Sequence, residues 1–223
     1  MEAEILEKLT IAVKRGKADK NSPYPPDLKG QDGADELTAE ALKMGFSADE
    51  VLQKALVKGM HLIGEDFSAG RAFVPEMLMA AKAMKAAMKH IEPFFKSGSV
   101  KQKGTVIMGT VQGDLHDIGK NLVAMMIEGA GWKVVDLGAD TPFEKFKAAL
   151  EEHPGAVVGM SALLTTTMVN MKGITEKIKE VSPKTIVMVG GAPLSDDFRR
   201  QIGADFYSPD PQGATEYLNS LVS

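Results

Sequence analysis

One histidine of this sequence stands where α/β proteins place ligand-binding residues. His116 lies in the run Gly-Asp-Leu-His-Asp-Ile-Gly at 113–119, two residues after Asp114. An apolar, strand-like segment at 105–111 precedes the run, and a helix-like segment at 121–129 follows it. In an open α/β sheet, ligands bind beyond the carboxyl ends of the strands. The spacing therefore predicts a metal ligand, His116, whose ring is oriented by Asp114, although a loop histidine bonded to backbone remains open.

Two further segments carry small or hydroxyl-bearing residues after a strand-like run. Ser161, Leu163 and Thr165 follow the third such run of this half of the chain, and Gly190 and Gly191 follow the fourth. Hydroxyl groups there can hydrogen-bond a ligand, and paired glycines let the backbone approach a bulky group closely. Because the loops after parallel strands open on one edge of a sheet, one large ligand can touch all three segments.

The elements that must position these loops follow from the pattern of apolar residues. Residues 104–223 alternate five short apolar runs with amphipathic segments, which predicts an α/β fold: a flavodoxin-like (Rossmann-type) five-stranded parallel sheet with helices on both faces. Residues 1–96 show helical spacing without clear strands and predict an N-terminal four-helix bundle, interrupted by a Pro-rich loop at 22–33. The polar stretch 97–103 is expected to be a linker.

Local signals predict where three helices begin or end. Ser47 with Glu50 is typical of a capping box at a helix start, and the run Thr141–Glu144 predicts another. Pro75 fits the first turn of a helix that we expect to end before Pro93, because an interior proline disrupts a helix.

Composition excludes several classes of protein. The chain has 26 basic and 30 acidic residues and a net charge of −4, so we expect no nucleic-acid partner. No apolar run reaches the roughly 18 residues of a membrane span, and the acidic N-terminus does not resemble a secretory signal. The lack of cysteine excludes disulfides and thiolate metal sites. We therefore expect a cytoplasmic protein without a membrane partner.

Taken together, the motifs resemble those of cobalamin-binding domains. The resemblance is carried by Asp-x-His-x-x-Gly at 114–119, Ser-x-Leu at 161–163 and the pair Gly190-Gly191. The N-terminal bundle is similar to the cap domain of cobalamin-dependent methionine synthase and of the small corrinoid proteins of methyltransferase systems. The resemblance covers nearly the whole chain, but the Pro-rich loop at 22–33 is not part of that pattern.

This resemblance implies a non-catalytic carrier with cobalamin or a related corrinoid as its cofactor. Such a carrier accepts a methyl group on cobalt from a substrate-specific methyltransferase. It passes the group to a second methyltransferase that serves tetrahydrofolate or a thiol, and a reductive activator is a further partner. Methanol, methylamines, glycine betaine and aryl methyl ethers all stay open as the methyl donor.

The resemblance also implies a role for individual residues. His116 would be the lower axial ligand of cobalt, with Asp114 and Thr167 behind its ring. Further contacts to the cofactor are implied for the rest of the motifs, namely Gly113, Leu115, Asp117, Ile118, Gly119, Ser161, Leu163, Thr165, Gly190 and Gly191. Three residues of the bundle fall where family members shield the upper face of the corrin, although plain core packing is an equal alternative for them: Phe67, Val74 and Met77.

Two other corrinoid functions compete with the carrier. A corrinoid-dependent sensor or regulator uses a similar cap and binding domain, but we expect no room for a DNA-binding or signalling module in 223 residues. The small subunit of an adenosylcobalamin mutase usually lacks the N-terminal bundle. Both features favour the carrier.

Overall fold

The computed structural model describes residues 2–222. The chain divides into two compact units, and a short helix-end segment joins the first unit although it lies far along the sequence. The first unit runs to Gln102 and includes Gly129–Gly131, and the second comprises Lys103–Glu128 together with the chain from Trp132 onward. The boundaries expected from the sequence, at 96–97 and 103–104, stay predictions.

The first unit is helical, as predicted. Its helices are α1 (Glu2–Lys14), α2 (Ala34–Lys43), α3 (Ala48–Val51), α4 (Lys58–Ser68) and α5 (Val74–Lys96), with a π-helical segment at Leu52–Val57 and a 3₁₀ turn at Pro26–Leu28. The segments from Ala48 to Ser68 follow one another directly, so four helical rods result. Each rod buries apolar residues at helical spacing, such as Leu9 and Val13 of α1.

One predicted helix start is confirmed and one predicted helix end is wrong. The backbone N–H of Glu50 donates to Ser47 Oγ and that of Ser47 donates to the Glu50 carboxylate, each at 3.2 Å, which is a capping box. Helix α5, however, continues through Pro93 to Lys96. The missing N–H of Pro93 removes one bond near the helix end, while its carbonyl still accepts the N–H of Ser97 at 3.1 Å.

The second unit is the predicted five-stranded parallel sheet. Its strands are β1 (Thr105–Thr110), β2 (Lys133–Asp136), β3 (Val157–Ser161), β4 (Val187–Gly190) and β5 (Phe206–Ser208), in the order β2-β1-β3-β4-β5. The helices between and after them are α6 (Ile118–Gly129), α7 (Phe143–Glu152), α8 (Thr165–Met168), α9 (Asn170–Val181), α10 (Asp196–Gln201) and α11 (Pro211–Ser220). This flavodoxin-like order reverses direction between β1 and β3, where α/β proteins bind ligands.

Strand register aligns the ends of four strands. Thr110 pairs with Ser161, Ser161 with Gly190, and Gly190 with Ser208, so these residues form one row at the carboxyl edge of the sheet. The loops that follow them therefore begin at the same level. Below this row the core is apolar and includes the fully buried side chain of Phe146 from α7.

The capping box predicted at Thr141–Glu144 does not form. The backbone N–H of Thr141 donates to the carbonyl of Thr110 at 2.9 Å, so Thr141 extends the sheet edge instead of capping a helix. Its hydroxyl donates to the carbonyl of Gly138 at 3.2 Å, and α7 begins at Phe143 without a side-chain cap. The pairing of Thr141 with the sheet thus outweighs the local sequence signal for a helix cap.

Candidate functional site

A buried carboxylate forms the centre of the site. The side chain of Asp114 lies in the loop between β1 and α6, is fully buried and takes part in five hydrogen bonds. Its Oδ1 lies 3.0 Å from the backbone nitrogen of His116 and 2.8 Å from Nδ1 of the same residue. Its Oδ2 accepts from the N–H groups of Leu163 and Leu164, at 2.9 and 3.3 Å, and from Thr167 Oγ1 at 2.6 Å. One carboxylate thus joins the loops after β1 and β3.

These bonds decide the charge of Asp114 and the tautomer of His116. Burial acts to raise the pKa of Asp114, but hydrogen bonds from Thr167, from the backbone of His116 and Leu163 and from the His116 ring lower that pKa below its usual range. An ionised carboxylate only accepts hydrogen bonds, so Nδ1 carries the proton. A neutral imidazole protonated at Nδ1 has its lone pair on Nε2. Because the side chain of His116 is 51% exposed, Nε2 is available to a ligand.

Two side chains outside the predicted set hold the backbone of this loop. Thr110, which is fully buried at the end of β1, donates from Oγ1 to the carbonyl of His116 at 3.1 Å. Asn170, at the start of α9, donates from Nδ2 to the carbonyl of Gln112 at 2.8 Å. Thr110 is a polar residue at the end of a strand and Asn170 is one at a helix start, and this placement is the signal that could have found them.

A third missed residue reaches the loop from the other side. Asp140, between β2 and α7, accepts the N–H of Gly113 on its Oδ1 at 2.8 Å, and its own N–H donates to the carbonyl of Asp114 at 3.0 Å. Its φ is +49°, in the left-handed region that aspartate tolerates better than most residues. The sequence reports the residue type but not this conformation.

The other motif residues of the first loop lie on its outer side. Gly113 has a φ of +84°, which favours glycine. Leu115 and Ile118 are 76% and 70% exposed. Asp117 accepts a hydrogen bond at 3.1 Å from a side-chain amide one turn further along α6, and Gly119 lies exposed in the first turn of that helix.

The residues predicted after β3 and β4 lie along the same edge. Ser161 ends β3 and Thr165 begins α8, and neither side chain makes a hydrogen bond within residues 2–222. Gly190 ends β4, and its carbonyl accepts the N–H of Ala162 at 3.2 Å. Gly191 has a φ of +132°, and a Cβ there would collide with the carbonyl oxygen of Ala162. The second glycine is therefore required by backbone packing in the protein itself.

The residues predicted to shield the corrin belong to the helical unit. Met77 is buried in α5, whereas Phe67 near the end of α4 and Val74 at the start of α5 are half-buried. Phe73, which precedes α5, is 64% exposed and was not predicted. The backbone N–H of Phe73 donates to the Glu76 carboxylate at 3.1 Å, which fixes this helix start.

Comparison with known proteins defines the class of this chain. Residues 104–214 match a family described as a B12 binding domain, and residues 31–92 match a second family with the same description. The chain is 43% identical over 194 residues to the trimethylamine corrinoid protein of Methanosarcina barkeri, covering 85% of this chain and 89% of that one. It is 37% identical over 176 residues to dimethylamine corrinoid protein 3 of Methanosarcina acetivorans, covering 78% and 83%.

A solved structure has the same fold over almost the whole chain. The crystal structure of the methanol:cobalamin methyltransferase complex from Methanosarcina barkeri superposes with a TM-score of 0.80 at 28% identity, covering 98% of this chain and 80% of the matched chain. The chain belongs to the family of corrinoid-binding methyl carriers of methyltransferase systems. Its cofactor is cobalamin or a related corrinoid.

The residues of the site fit such a cofactor. A corrin brings four nitrogen ligands of its own and so needs only one from the protein, and a half-exposed imidazole with a fixed tautomer offers one. Large apolar side chains are exposed to solvent in or next to the His116 loop and the loop after β3, namely Leu115, Ile118, Leu163, Leu164 and Val169. A cluster of this kind marks a binding surface and suits the apolar rim of a macrocycle.

Two other findings bear on the class of site and protein. Within residues 2–222, no group of three or more metal-ligating side chains is arranged to hold an ion by itself. Nor does any helix in this range have the length and apolar character needed to cross a membrane. The expectations of a cytoplasmic location and of no nucleic-acid or membrane partner stay predictions.

The hydrogen bond from Thr167 to Asp114 should contribute measurably to stability. Thr167→Ala leaves a buried charge with one donor fewer, and we expect the free energy of unfolding to fall by about 2 kcal/mol. Thr167→Ser keeps the hydroxyl and should lose less than about 1 kcal/mol. Urea unfolding of both variants beside the wild-type chain measures the difference. Equal losses for alanine and serine would show that the hydroxyl does not support the carboxylate.

Proposed function

We propose that His116 binds the cobalt of the corrinoid through Nε2 and that Asp114 and Thr167 hold the ring for this task. The observation that carries the proposal is the hydrogen-bonded carboxylate of Asp114, which lies 2.8 Å from Nδ1 of His116. Because that carboxylate is ionised and only accepts, it selects the tautomer with a lone pair on Nε2. The same bond raises the electron density of the ring and so strengthens it as a ligand.

The chain's own residues also fix where the proton of the His116 ring lies. When bound, the corrinoid supplies a cobalt atom that takes up and gives up a methyl group. Thr167 Oγ1, at 2.6 Å from Oδ2, helps to lower the pKa of the Asp114 carboxyl and so to keep it ionised. Asp114, His116 and Thr167 together hold one proton at Nδ1 and leave the lone pair of Nε2 for cobalt.

The remaining cofactor contacts are proposed on their positions. Gly113, Leu115, Ile118 and Gly119 are exposed and flank the histidine along the chain. The residues of the other loops, Ser161, Leu163, Thr165, Gly190 and Gly191, follow the aligned ends of β3 and β4. We assign Asp117 first to the start of α6, because its side chain already bonds within that helix. The shielding role of Phe67, Val74 and Met77 stays a prediction.

We infer that the methyl donor is a methylated amine, delivered by a dedicated methyltransferase. The support is relatedness: identity is 43% to a trimethylamine corrinoid protein and 37% to a dimethylamine corrinoid protein. The structural match to a chain of a methanol:cobalamin methyltransferase complex supports a methyltransferase as partner. An acceptor-side methyltransferase serving tetrahydrofolate or a thiol, and a reductive activator, complete the proposed system.

Isotope labelling tests the axial role of His116 directly. The cobalt(II) form of the holoprotein should show electron paramagnetic resonance lines split into triplets by one axial nitrogen. In protein made with nitrogen-15 histidine these triplets should become doublets, because that isotope has a nuclear spin of one half. His116→Ala should lose the histidine splitting while the apoprotein stays folded.

Two results would contradict the axial assignment. Triplets that persist in labelled protein would identify the cofactor's own base as the ligand. Doublets that persist in His116→Ala would identify another histidine, for which His61→Ala and His153→Ala are the matched controls because both lie outside the site loops.

Gly119 allows contact with the cofactor to be separated from stability of the fold. A Cβ at Gly119 meets no atom within 4 Å, so Gly119→Ala should fold normally and gain up to about 1 kcal/mol from helix propensity. If the corrin lies against this residue, the added methyl group should weaken corrinoid binding about tenfold or more, as measured by equilibrium dialysis. Gly173→Ala in α9, where a Cβ also meets nothing, is the matched control. Unchanged affinity in Gly119→Ala would remove this contact from the site.

Purified methyltransferases test the proposed methyl donor. The reduced holoprotein should be methylated with trimethylamine when a trimethylamine-specific methyltransferase is added, and not without it. A methanol-specific enzyme with methanol should act at least about tenfold more slowly, which is about 1.4 kcal/mol of discrimination between partners. The absorbance change of the corrinoid follows the reaction. Faster methylation by the methanol system would overturn the choice of donor and leave the carrier role intact.

A further inference from the structure

Asp140 has a backbone conformation that needs an explanation. Within residues 2–222 it is the one residue other than glycine with a positive φ, at +49°. Residues other than glycine adopt a positive φ only at a cost in free energy. They keep this conformation where the surrounding structure requires it. The segment around it is fixed by sheet-like bonds, because Thr110 N–H donates to the carbonyl of Gly138 and Thr141 N–H donates to that of Thr110, each at 2.9 Å. Asp140 is therefore presented from a rigid support.

The conformation lets Asp140 hold the loop of His116 at two points. Its Oδ1 accepts the N–H of Gly113 at 2.8 Å, and its N–H donates to the carbonyl of Asp114 at 3.0 Å. The first bond lies just before the peptide group that joins Gly113 to Asp114, and the second lies just after it. The side chains of Thr110 and Asn170, which also bond the backbone of this loop, each reach only one carbonyl.

Backbone position matters here because the ring of His116 cannot move alone. Oδ1 of Asp114 bonds both the backbone N–H and Nδ1 of His116. The ring, its own backbone and the Asp114 side chain are therefore joined at one oxygen. A shift of the backbone at Asp114 shifts Nε2 with it.

We propose that Asp140 is a positioning residue that holds the Gly113-Asp114 peptide so that Nε2 of His116 reaches the cobalt. It thereby sets the fraction of bound corrinoid that His116 coordinates. This proposal rests on the axial role proposed above for His116. Asp140 itself touches neither the imidazole nor, on this proposal, the cofactor.

Three substitutions separate the parts of this role. Asp140→Asn keeps an oxygen acceptor and tolerates a positive φ, so it should resemble the wild type. Asp140→Gly keeps the backbone conformation and the N–H bond but removes the side-chain bond. Asp140→Glu keeps the charge but displaces the carboxylate oxygens. We expect the ratio of histidine-on to histidine-off cobalt to fall about threefold to tenfold in the glycine and glutamate variants, the range for one lost hydrogen bond.

The measurement is the electron paramagnetic resonance spectrum of cobalt(II) holoprotein made with nitrogen-15 histidine, with the doublet fraction normalised to bound cobalt. Normalisation keeps the reading valid if a variant binds less corrinoid, and thermal unfolding of each apoprotein checks the fold. Glycine is unstrained at this φ, so we expect that variant to fold, and the glutamate variant gives an independent reading. Rescue by asparagine identifies the oxygen acceptor rather than the charge.

The outcomes distinguish this proposal from the one on which it rests. If glycine and glutamate variants match the wild type while His116→Ala loses the doublets, Asp140 does not position the ligand, and His116 remains the ligand. If asparagine falls as far as glycine, the acceptor role assigned to Oδ1 is wrong. If wild-type protein shows no histidine doublets, the axial role fails and this proposal fails with it.

Discussion

The structure of the site depends on the need to satisfy one buried carboxylate. A charge without water must be hydrogen-bonded, or it destabilises the fold by several kcal/mol. Asp114 meets this need with donors from its own loop and from the loop after β3, including Leu163, Leu164 and Thr167. These donors come within reach only because β1 and β3 are neighbours, as the strand order β2-β1-β3-β4-β5 provides. The need of the Asp114 carboxylate for hydrogen-bond donors therefore requires the site to lie where β1 and β3 are neighbours.

The same carboxylate separates the two nitrogens of His116 into different environments. Nδ1 lies 2.8 Å from the fully buried carboxylate of Asp114, whereas the side chain as a whole is half-exposed in a segment that also exposes Leu115 and Ile118. Because Leu115 and Ile118 are 76% and 70% exposed, they offer an apolar surface for a ligand to cover. The loop therefore combines a rigid inner side with an outer side that is suited to a large, partly apolar ligand.

Some residues of the site could be predicted from the sequence and others could not. The difference is whether their contacts follow from local spacing or from the packing of distant segments. Asp114 and His116 were predictable from side-chain type and spacing after a strand-like run, whereas Thr167 followed only from the resemblance to cobalamin-binding domains. The contacts of Asp140 with the His116 loop were not predictable, because they depend on a left-handed backbone and on β2 lying beside β1. The errors at Pro93 and Thr141 have one cause. At Pro93, the hydrogen bonds of the last helical turn outweigh the tendency of proline to end a helix. At Thr141, a pairing with β1 outweighs the local signal for a helix cap.

This distribution of contacts has a consequence for how ligand strength can be tuned in this family of folds. Both oxygens of Asp114 are already saturated, so changes among its donors cost stability as well as ring orientation. Groups that hold only the backbone of the loop, such as Thr110, Asp140 and Asn170, are not bound by that constraint. Because one oxygen of Asp114 joins the ring to its backbone, those groups can shift the ring while the buried charge stays satisfied. If His116 is the ligand of cobalt, as proposed, its coordination is therefore more readily tuned from the loop backbone than through Asp114 and Thr167.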